Sequence, residues 1–427
     1  MRGNGRRTGY SRKPEFSNAP MQILQSPAKV RTVALPALPP LSLYVHIPWC
    51  VRKCPYCDFN SHELKPPVGS HSAAPVTLES ALEQRYVGAL IADLESALPQ
   101  IWGRPVYTVF LGGGTPSLLT PRALDDLLCA IRARLPLVAD AEITLEANPG
   151  TFEAGKFAEF RSIGVNRLSI GIQSFNAEHL RALGRIHDAA QARAAIEIAQ
   201  SSFENYNLDL MYALPGQTMQ QAEADIETAL SFSPAHISAY HLTIEPNTLF
   251  HRHPPMLPDD DASADMQQAI EMRLARAGYQ HYETSAFARA GQQARHNLNY
   301  WTFGDYLGIG AGAHGKLSFA DRIVRQMRYK QPREYMDRTE AGAAVQQEQE
   351  VRVSDLPFEF MMNAMRLTGG FELSLFAART SLPLHVLGEE LREAEFRGLI
   401  ERDHVRVQPT LKGQRFLNDL LQIFLKT

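Results

Sequence analysis

The residues best suited to chemistry lie in one stretch, His46-Ile-Pro-Trp-Cys50-Val-Arg-Lys-Cys54-Pro-Tyr-Cys57. The spacing is C-x3-C-x2-C. Structural zinc sites need four ligands and usually pair two C-x2-C knuckles. Here no partner knuckle exists, and the remaining cysteine, Cys129 in Leu127-Leu-Cys-Ala-Ile, reads as a small buried residue on a helix core face. Three thiolates suit three irons of a 4Fe–4S cube and leave the fourth iron open. A cube held by four cysteines is closed and mainly moves electrons. An open metal position can take a substrate, as catalytic zinc does, so the missing ligand favours chemistry over electron relay. The plainer alternative is a three-cysteine zinc site completed by His46 or His62.

Such a loop must be held by a scaffold. The chain has 427 residues, 44% hydrophobic and 21% charged, with a net charge of -3. That composition is globular and excludes collagen-like and mostly disordered classes. No apolar run is long enough to span a bilayer, and four cysteines are too few for a disulfide framework. From residue 41 onward, short β-branched and aromatic runs (41–47, 106–111, 142–146, 167–173, 207–212, 236–242) alternate with amphipathic runs near 78–98, 121–135, 153–162, 188–201, 217–232 and 262–277. Alternation of this kind predicts βαβ units and a parallel sheet. Six units are too few for an eight-fold barrel, so the count predicts an α/β fold with a partial (β/α)6 barrel or an open sheet.

Ligands bind at the carboxyl ends of parallel strands, and the polar oddities of this sequence fall there. Strand one ends in the cysteine loop and strand two in Gly112-Gly113-Gly114-Thr115-Pro116. Strand three ends in Glu146-Ala-Asn148-Pro149, strand four at Gln173, and strand five carries Asp209 before Leu214-Pro215-Gly216. A triple glycine permits close backbone approach to a ligand, or simply a tight turn. Glu146, Gln173 and Asp209 taken singly are each as well explained as satisfied structural polar groups. On one edge they form a polar pocket.

The cysteine spacing, with Tyr56 before the last cysteine, resembles the radical S-adenosylmethionine (SAM) superfamily. The resemblance implies that SAM chelates the open iron and that the reduced cluster cleaves it to a 5'-deoxyadenosyl radical. From about Leu41 to the C-terminus the chain further resembles the family of oxygen-independent coproporphyrinogen III oxidases and their haem-chaperone relatives. The carriers are Tyr44-Val-His46-Ile-Pro-Trp-Cys50, Cys57-Asp-Phe-Asn-Ser-His62, 112–117, 145–149, 169–175, Leu183-Gly-Arg185 and 209–217. This implies Cys50, Cys54 and Cys57 as cluster ligands and Tyr44, Gly113, Gly114, Thr115, Glu146, Gln173, Arg185 and Asp209 as SAM contacts. Arg185 could meet the SAM carboxylate, or be a solvated surface arginine.

Two departures separate the branches. The oxidase branch has a further cysteine where this chain has Phe59. The chain instead carries His296-Asn297-Leu-Asn-Tyr300-Trp301, followed by a glycine-rich run to His314. The HNxxYW block resembles the haem-chaperone branch, where it implies haem binding. Imidazole ligates haem iron, and Tyr and Trp offer flat apolar surface to a macrocycle. His296 is the expected ligand. His314, His241, His251 and His253 are further candidates, and the alternative is that His296 and His314 are buried, hydrogen-bonded histidines.

Four segments follow: a disordered basic arm over 1–40 (seven basic residues, one acidic), the barrel and haem-motif region over 41–315, a polar connector over 316–350, and a winged-helix-like module over 351–427. Met21 is an alternative start. The last module has ten basic and ten acidic residues. Nucleic-acid binding needs a basic face, so none is expected, and docking of protein or haem, or a lid over the barrel, is favoured. The resulting expectation is a cytoplasmic haem chaperone carrying a 4Fe–4S cluster and SAM, and delivering haem to acceptors such as membrane respiratory proteins. The rivals are coproporphyrinogen III oxidation and radical chemistry on another tetrapyrrole.

Overall fold

The computed structural model describes residues 33–64, 78–150 and 154–425. Its centre is six parallel strands in sequence order: β1 (Leu41–Ile47), β2 (Val106–Gly113), β3 (Leu137–Ala147), β4 (Arg167–Gln173), β5 (Tyr206–Tyr212) and β6 (His236–His241). Side chains alternate across a strand, and here the alternation divides two chemistries. One face is aliphatic: Leu43, Val45, Val109, Leu111, Ile143, Leu145, Leu168, Ile170, Leu208 and Ile237 belong to one buried core. That core includes residues of helices α1 (Ser80–Ala97), α2 (Pro121–Arg134), α3 (Ala189–Ser202) and α4 (Met219–Ser231). The other face is polar and aromatic, and the register links its members across the sheet: Tyr44 beside Phe110, Phe110 beside Thr144, Glu146 beside Ser169, Gly171 beside Asp209, Asp209 beside Ser238.

Helix starts are encoded locally. Thr120 accepts from the Ala123 N–H ahead of Pro121, and Asp188 and Thr218 form capping boxes with Gln191 and Gln221, each satisfying N–H groups that a helix leaves open.

The sheet extends past the six expected strands on both sides, to twelve. Beyond β6 lie β8 (Ala286–Ala288) and then β7 (Gln280–Glu283), both antiparallel to their neighbours. On the far side of β1, β9 (Asp305–Ile309) pairs in parallel, followed by antiparallel β10 (His314–Ser318), β11 (Ile323–Arg328) and β12 (Val345–Glu350). The expected connector 316–350 is therefore ordered, made of strands of this sheet and one helix. Its polar run misled because β12 is an edge strand with mostly exposed side chains, and edges are commonly charged. β11 is pinned by Arg328, 1% exposed, whose guanidinium pairs with Asp93 of α1 at 3.0 Å. Tyr335 of α6 (Pro332–Glu340) also donates to Asp93, at 2.8 Å. A helix between α4 and α6, α5 (Arg295–Trp301), carries the HNxxYW block.

Two further expectations change. Of the arm, 1–32 lies outside the described residues, while Val33 and Leu35 are buried in the C-terminal core and the Leu35 N–H donates to the Ala320 carbonyl at 3.0 Å. Apolar residues between prolines found a packing partner that periodicity could not reveal. Cys129 is exposed rather than buried, on the outer side of α2, its Sγ 3.6 Å from Asp125. The C-terminal segment follows the expected order: helices α7 (Leu356–Ala364), α8 (Leu373–Thr380) and α9 (Gly388–Phe396), then a hairpin of Ile400–Arg402 and Arg406–Pro409, with the short strand Phe371–Glu372 completing a three-stranded sheet. Phe360 fills its core against Phe303, Phe371 and Phe376. No helix among the described residues is long and apolar enough to cross a membrane.

Removing one member of a buried ion pair leaves the other charge uncompensated, at a cost of about 3–5 kcal/mol. Asp93→Ala should therefore lower the urea midpoint sharply, and Asp93→Leu combined with Arg328→Met should recover much of the loss. Equal destabilisation by the single and double changes would refute the pairing.

Candidate functional site

The cysteine loop leaves β1 and is tied down at both ends. Trp49 and Cys50 pair with His62 and Glu63 as a two-strand ribbon. The Lys53 ammonium donates to the carbonyls of Phe59 and Ser61, each at 3.2 Å. Asn60 carries three bonds: its carbonyl lies 2.9 Å from His46 Nε2, and its amide donates to the carbonyls of Ala311 and Lys330 at 2.9 Å. Within the loop the Cys57 N–H donates to the Cys54 carbonyl. All three cysteines are free thiols, partly buried, and line one cavity of about 380 Å³. Each sulfur has a polar neighbour: Thr115 Oγ1 at 3.6 Å from Cys50, Arg185 at 3.7 Å from Cys54, and Ser61 Oγ at 3.7 Å from Cys57. Burial pushes Cys50 up to about 11 and raises Cys57, and these donors pull the other way, toward the thiolate that binds metal. The site fits a cluster ligated by sulfur.

Gly113, Gly114, Thr115, Glu146, Gln173, Arg185 and Asp209 line the same cavity. The Gly113 N–H donates to Glu146 at 3.0 Å. Arg185 is held by Asn148 Oδ1 (2.6 Å) and the Gly171 carbonyl (2.7 Å), and Asn148 in turn donates to Thr115. Asp209 accepts from Ser169 and Asn207. Gln173 has φ +66°, a strained backbone state for a residue with a side chain and one that clusters at functional sites. The glycines answer to crowding. Gly113 has φ +112°, and a side chain there would meet the His46 ring at 2.5 Å; one at Gly114 would meet the Trp49 carbonyl at 2.5 Å. Their bareness lets β2 close on the cysteine loop as well as line the pocket.

Tyr44 is the exception. It lines an adjoining cavity of about 970 Å³, its hydroxyl 2.8 Å from His46 Nδ1. This second cavity shares Cys57, Asp58, Phe59, Ser61, Gly113, Glu146 and Glu245 with the first. Its other walls include Phe110, Tyr300, Trp301, Tyr306, His62, His314 and Lys330. The Tyr300 and Tyr306 rings meet edge to face at 4.9 Å, and Arg366 of the C-terminal segment lies 4.4 Å from the Trp301 ring. The HNxxYW block is thereby split: Tyr300 and Trp301 face the cavity, but His296 does not line it. His296 is 5% exposed and its Nδ1 donates to Glu142 at 2.8 Å; the same carboxylate accepts the backbone N–H groups of Arg295 and His296. The anchoring glutamate was not anticipated. Its signal was a second carboxylate an even number of residues from Glu146 in one apolar strand. Asn297 Nδ2 reaches Tyr282 OH at 3.4 Å, continuing to His236 and Asn207. His241, His251 and His253 are exposed; only His241 reaches either cavity, on the cluster side.

Electrostatics follow burial. Burial and the nearby Asp209 carboxylate push Glu146 up to about 8, against the pull of the Gly113 N–H. Burial brings His46 down to about 4, so it is neutral. Burial would raise Glu142, but the His296 bond, with Arg167 and the Arg295 N–H, takes it down to about 2; it is an anion.

A profile of the radical SAM superfamily matches residues 44–229, and one of the HemN C-terminal domain matches residues 353–416. The fold is that of this superfamily, and membership implies a 4Fe–4S cluster and SAM. Within it, the chain belongs to the Heme chaperone HemW family. It is 49% identical over 390 residues to the Escherichia coli (strain K12) Heme chaperone HemW, covering 91% of this chain and 99% of that one. It is 46% identical over 397 residues to the Haemophilus influenzae protein of that name, covering 92% and 99%. Among solved structures it is similar to the Escherichia coli coproporphyrinogen III oxidase (HemN), a radical SAM enzyme, with TM-score 0.75, 25% identity and coverage of 91% and 90%.

Glu146 gives a test of the pocket. Its folded pKa lies above its unfolded value of 4.5. Its contribution to stability is thus fully present below pH 4.5 and is lost as pH rises through about 8. Glu146→Gln removes that loss. In thermal scans of the metal-free protein the variant should match wild type near ~pH 5 and melt at least ~2 °C higher near ~pH 9. An unchanged difference between the two conditions would contradict the shift.

Proposed function

We propose that this chain is a cytoplasmic haem chaperone that holds haem in the 970 Å³ cavity beside its cluster pocket and passes it to haem-dependent acceptors, membrane respiratory proteins among them. The observation that carries this reading is the aromatic cavity built from Tyr300, Trp301 and Tyr306 next to the cysteine pocket. Its relatives named Heme chaperone HemW match over almost their whole length. A flat apolar ligand with a few charged substituents needs aromatic walls and a small number of placed polar groups. Lys330 and Lys53 line the cavity as cations for carboxylates.

Cys50, Cys54 and Cys57 would hold the 4Fe–4S cluster, with SAM beside it in the same cavity. When bound, these groups supply one-electron chemistry. Arg185 would receive the carboxylate of SAM, and Glu146, Gln173 and Asp209 its polar groups, with Gly113, Gly114 and Thr115 supplying backbone and hydroxyl contacts and Tyr44, at the border with the adjoining cavity, a further contact. Among the pocket's own groups, Asn148 keeps the Arg185 fork aimed, and Ser169 and Asn207 orient Asp209. His296 and Glu142 anchor the start of α5, so that Tyr300 and Trp301, one turn on, wall the cargo site.

The rival reading is oxidation of coproporphyrinogen III, the activity named for the similar solved enzyme. Anaerobically reconstituted protein supplied with coproporphyrinogen III, SAM and a reductant should form no protoporphyrinogen, whereas haem should bind and move to an apo-haem acceptor. Turnover of the porphyrinogen would overturn the chaperone reading. Cys54→Ala should abolish acid-labile sulfide and bound iron; an intact iron content would refute the ligand assignment.

A further inference from the structure

Haem held in a protein cavity is usually fixed by an axial ligand to its iron. Three imidazoles line the large cavity: His46, His62 and His314. They differ in what their ring nitrogens already do. His46 has both engaged, by Tyr44 and by the Asn60 carbonyl, and is buried. The Nε2 of His62 has no hydrogen-bond partner but is sealed from solvent, whereas a ligating nitrogen must open onto the cavity. His314 is exposed on the cavity wall, and its ring makes no hydrogen bond among the described residues.

The backbone under His314 is held on every side. It opens β10, where it pairs with Met327. The preceding Ala313 donates to the Gly310 carbonyl and accepts from the Arg328 N–H. Gly308 lies beneath, so close that a side chain there would sit 1.9 Å from the His314 carbonyl oxygen. Through Ala311 and Lys330 the turn is tied to Asn60 of the cysteine loop. A fixed backbone presenting an unoccupied imidazole is the arrangement a ligating residue requires. The half of the ring covered by protein, with Lys330 and Arg325 nearby, lowers the His314 pKa, so the ring is neutral, and its other half stays open to the cavity.

We propose that His314, and not His296, is the axial ligand of the haem iron in this cavity, with Lys330 beside it as a partner for a haem propionate. This rests on the haem-cargo reading. The bond is a lone-pair donation from an imidazole nitrogen to iron, with no change in oxidation state. His296, whose Nδ1 is held by Glu142 and whose ring does not line the cavity, is a positioning residue.

The test uses the full chain with its cluster reconstituted, titrated anaerobically with ferric haem and followed by absorption and electron paramagnetic resonance. Wild type should show histidine ligation. His314→Ala and His314→Gln should lose that signature and bind at least ~tenfold more weakly, with unchanged cluster absorbance and SAM binding as the folding control. Added imidazole should restore the histidine spectrum in His314→Ala. His296→Gln should keep the histidine signature, even if affinity falls. Histidine ligation that survives both His314 changes, or that disappears in His62→Gln or His296→Gln, would overturn the assignment while leaving haem as the cargo. A wild type that binds no haem would overturn the cargo reading and this assignment together.

Discussion

A parallel strand covered on both faces can carry polar side chains inward only if those side chains satisfy one another, because an unpaired buried polar group costs about 1–3 kcal/mol. This constraint organises the molecule. The aliphatic row of each strand packs on helices, and the opposite row forms connected bonds: Glu142 with His296, Asn207 with His236 and Asp209, Ser169 with Asp209. The interior is thereby graded, with anchoring groups near the strand starts, aromatic rings midway, and a polar, glycine-rich rim where the cysteines arrive.

The two cavities differ in character because of that grading. The smaller is walled by carboxylates, amides, two guanidinium groups and three thiols, suited to a polar, charged ligand beside a metal cluster. The larger gathers rings from β1, β2, α5 and β9 and a histidine from β10, suited to a flat apolar body with an ionic edge. They share the loop from Cys57 to Ser61 as a common wall.

Much of this was legible in the sequence. The spacing of Cys50, Cys54 and Cys57 predicts that they share one site, and they line one cavity; the βα alternation places Gly113, Glu146, Gln173 and Asp209 at one edge, where they are found. What was not legible depends on tertiary partners. β12 reads as a polar connector because an edge strand exposes its side chains. Val33 and Leu35 gave no period, since they pack as isolated residues. Cys129 was placed inward by its apolar neighbours Leu127 and Leu128, yet its own helical position points outward. His296 carried the expectation of a ligand because its motif named it, and only the fold reveals that its Nδ1 is anchored by Glu142, more than 150 residues away, and that its ring does not line the large cavity. His314 was indistinguishable from other histidines until its ring was seen without a partner.

Asn60 has three obligations: its backbone carbonyl to His46 of β1, and its side-chain amide to the glycine turn and to the strand end at Lys330. It acts as a rivet through three plates. A rivet transmits load: whatever shifts the cysteine loop, whether metal arriving or leaving, must also strain the turn that carries His314, or else shear this single residue free.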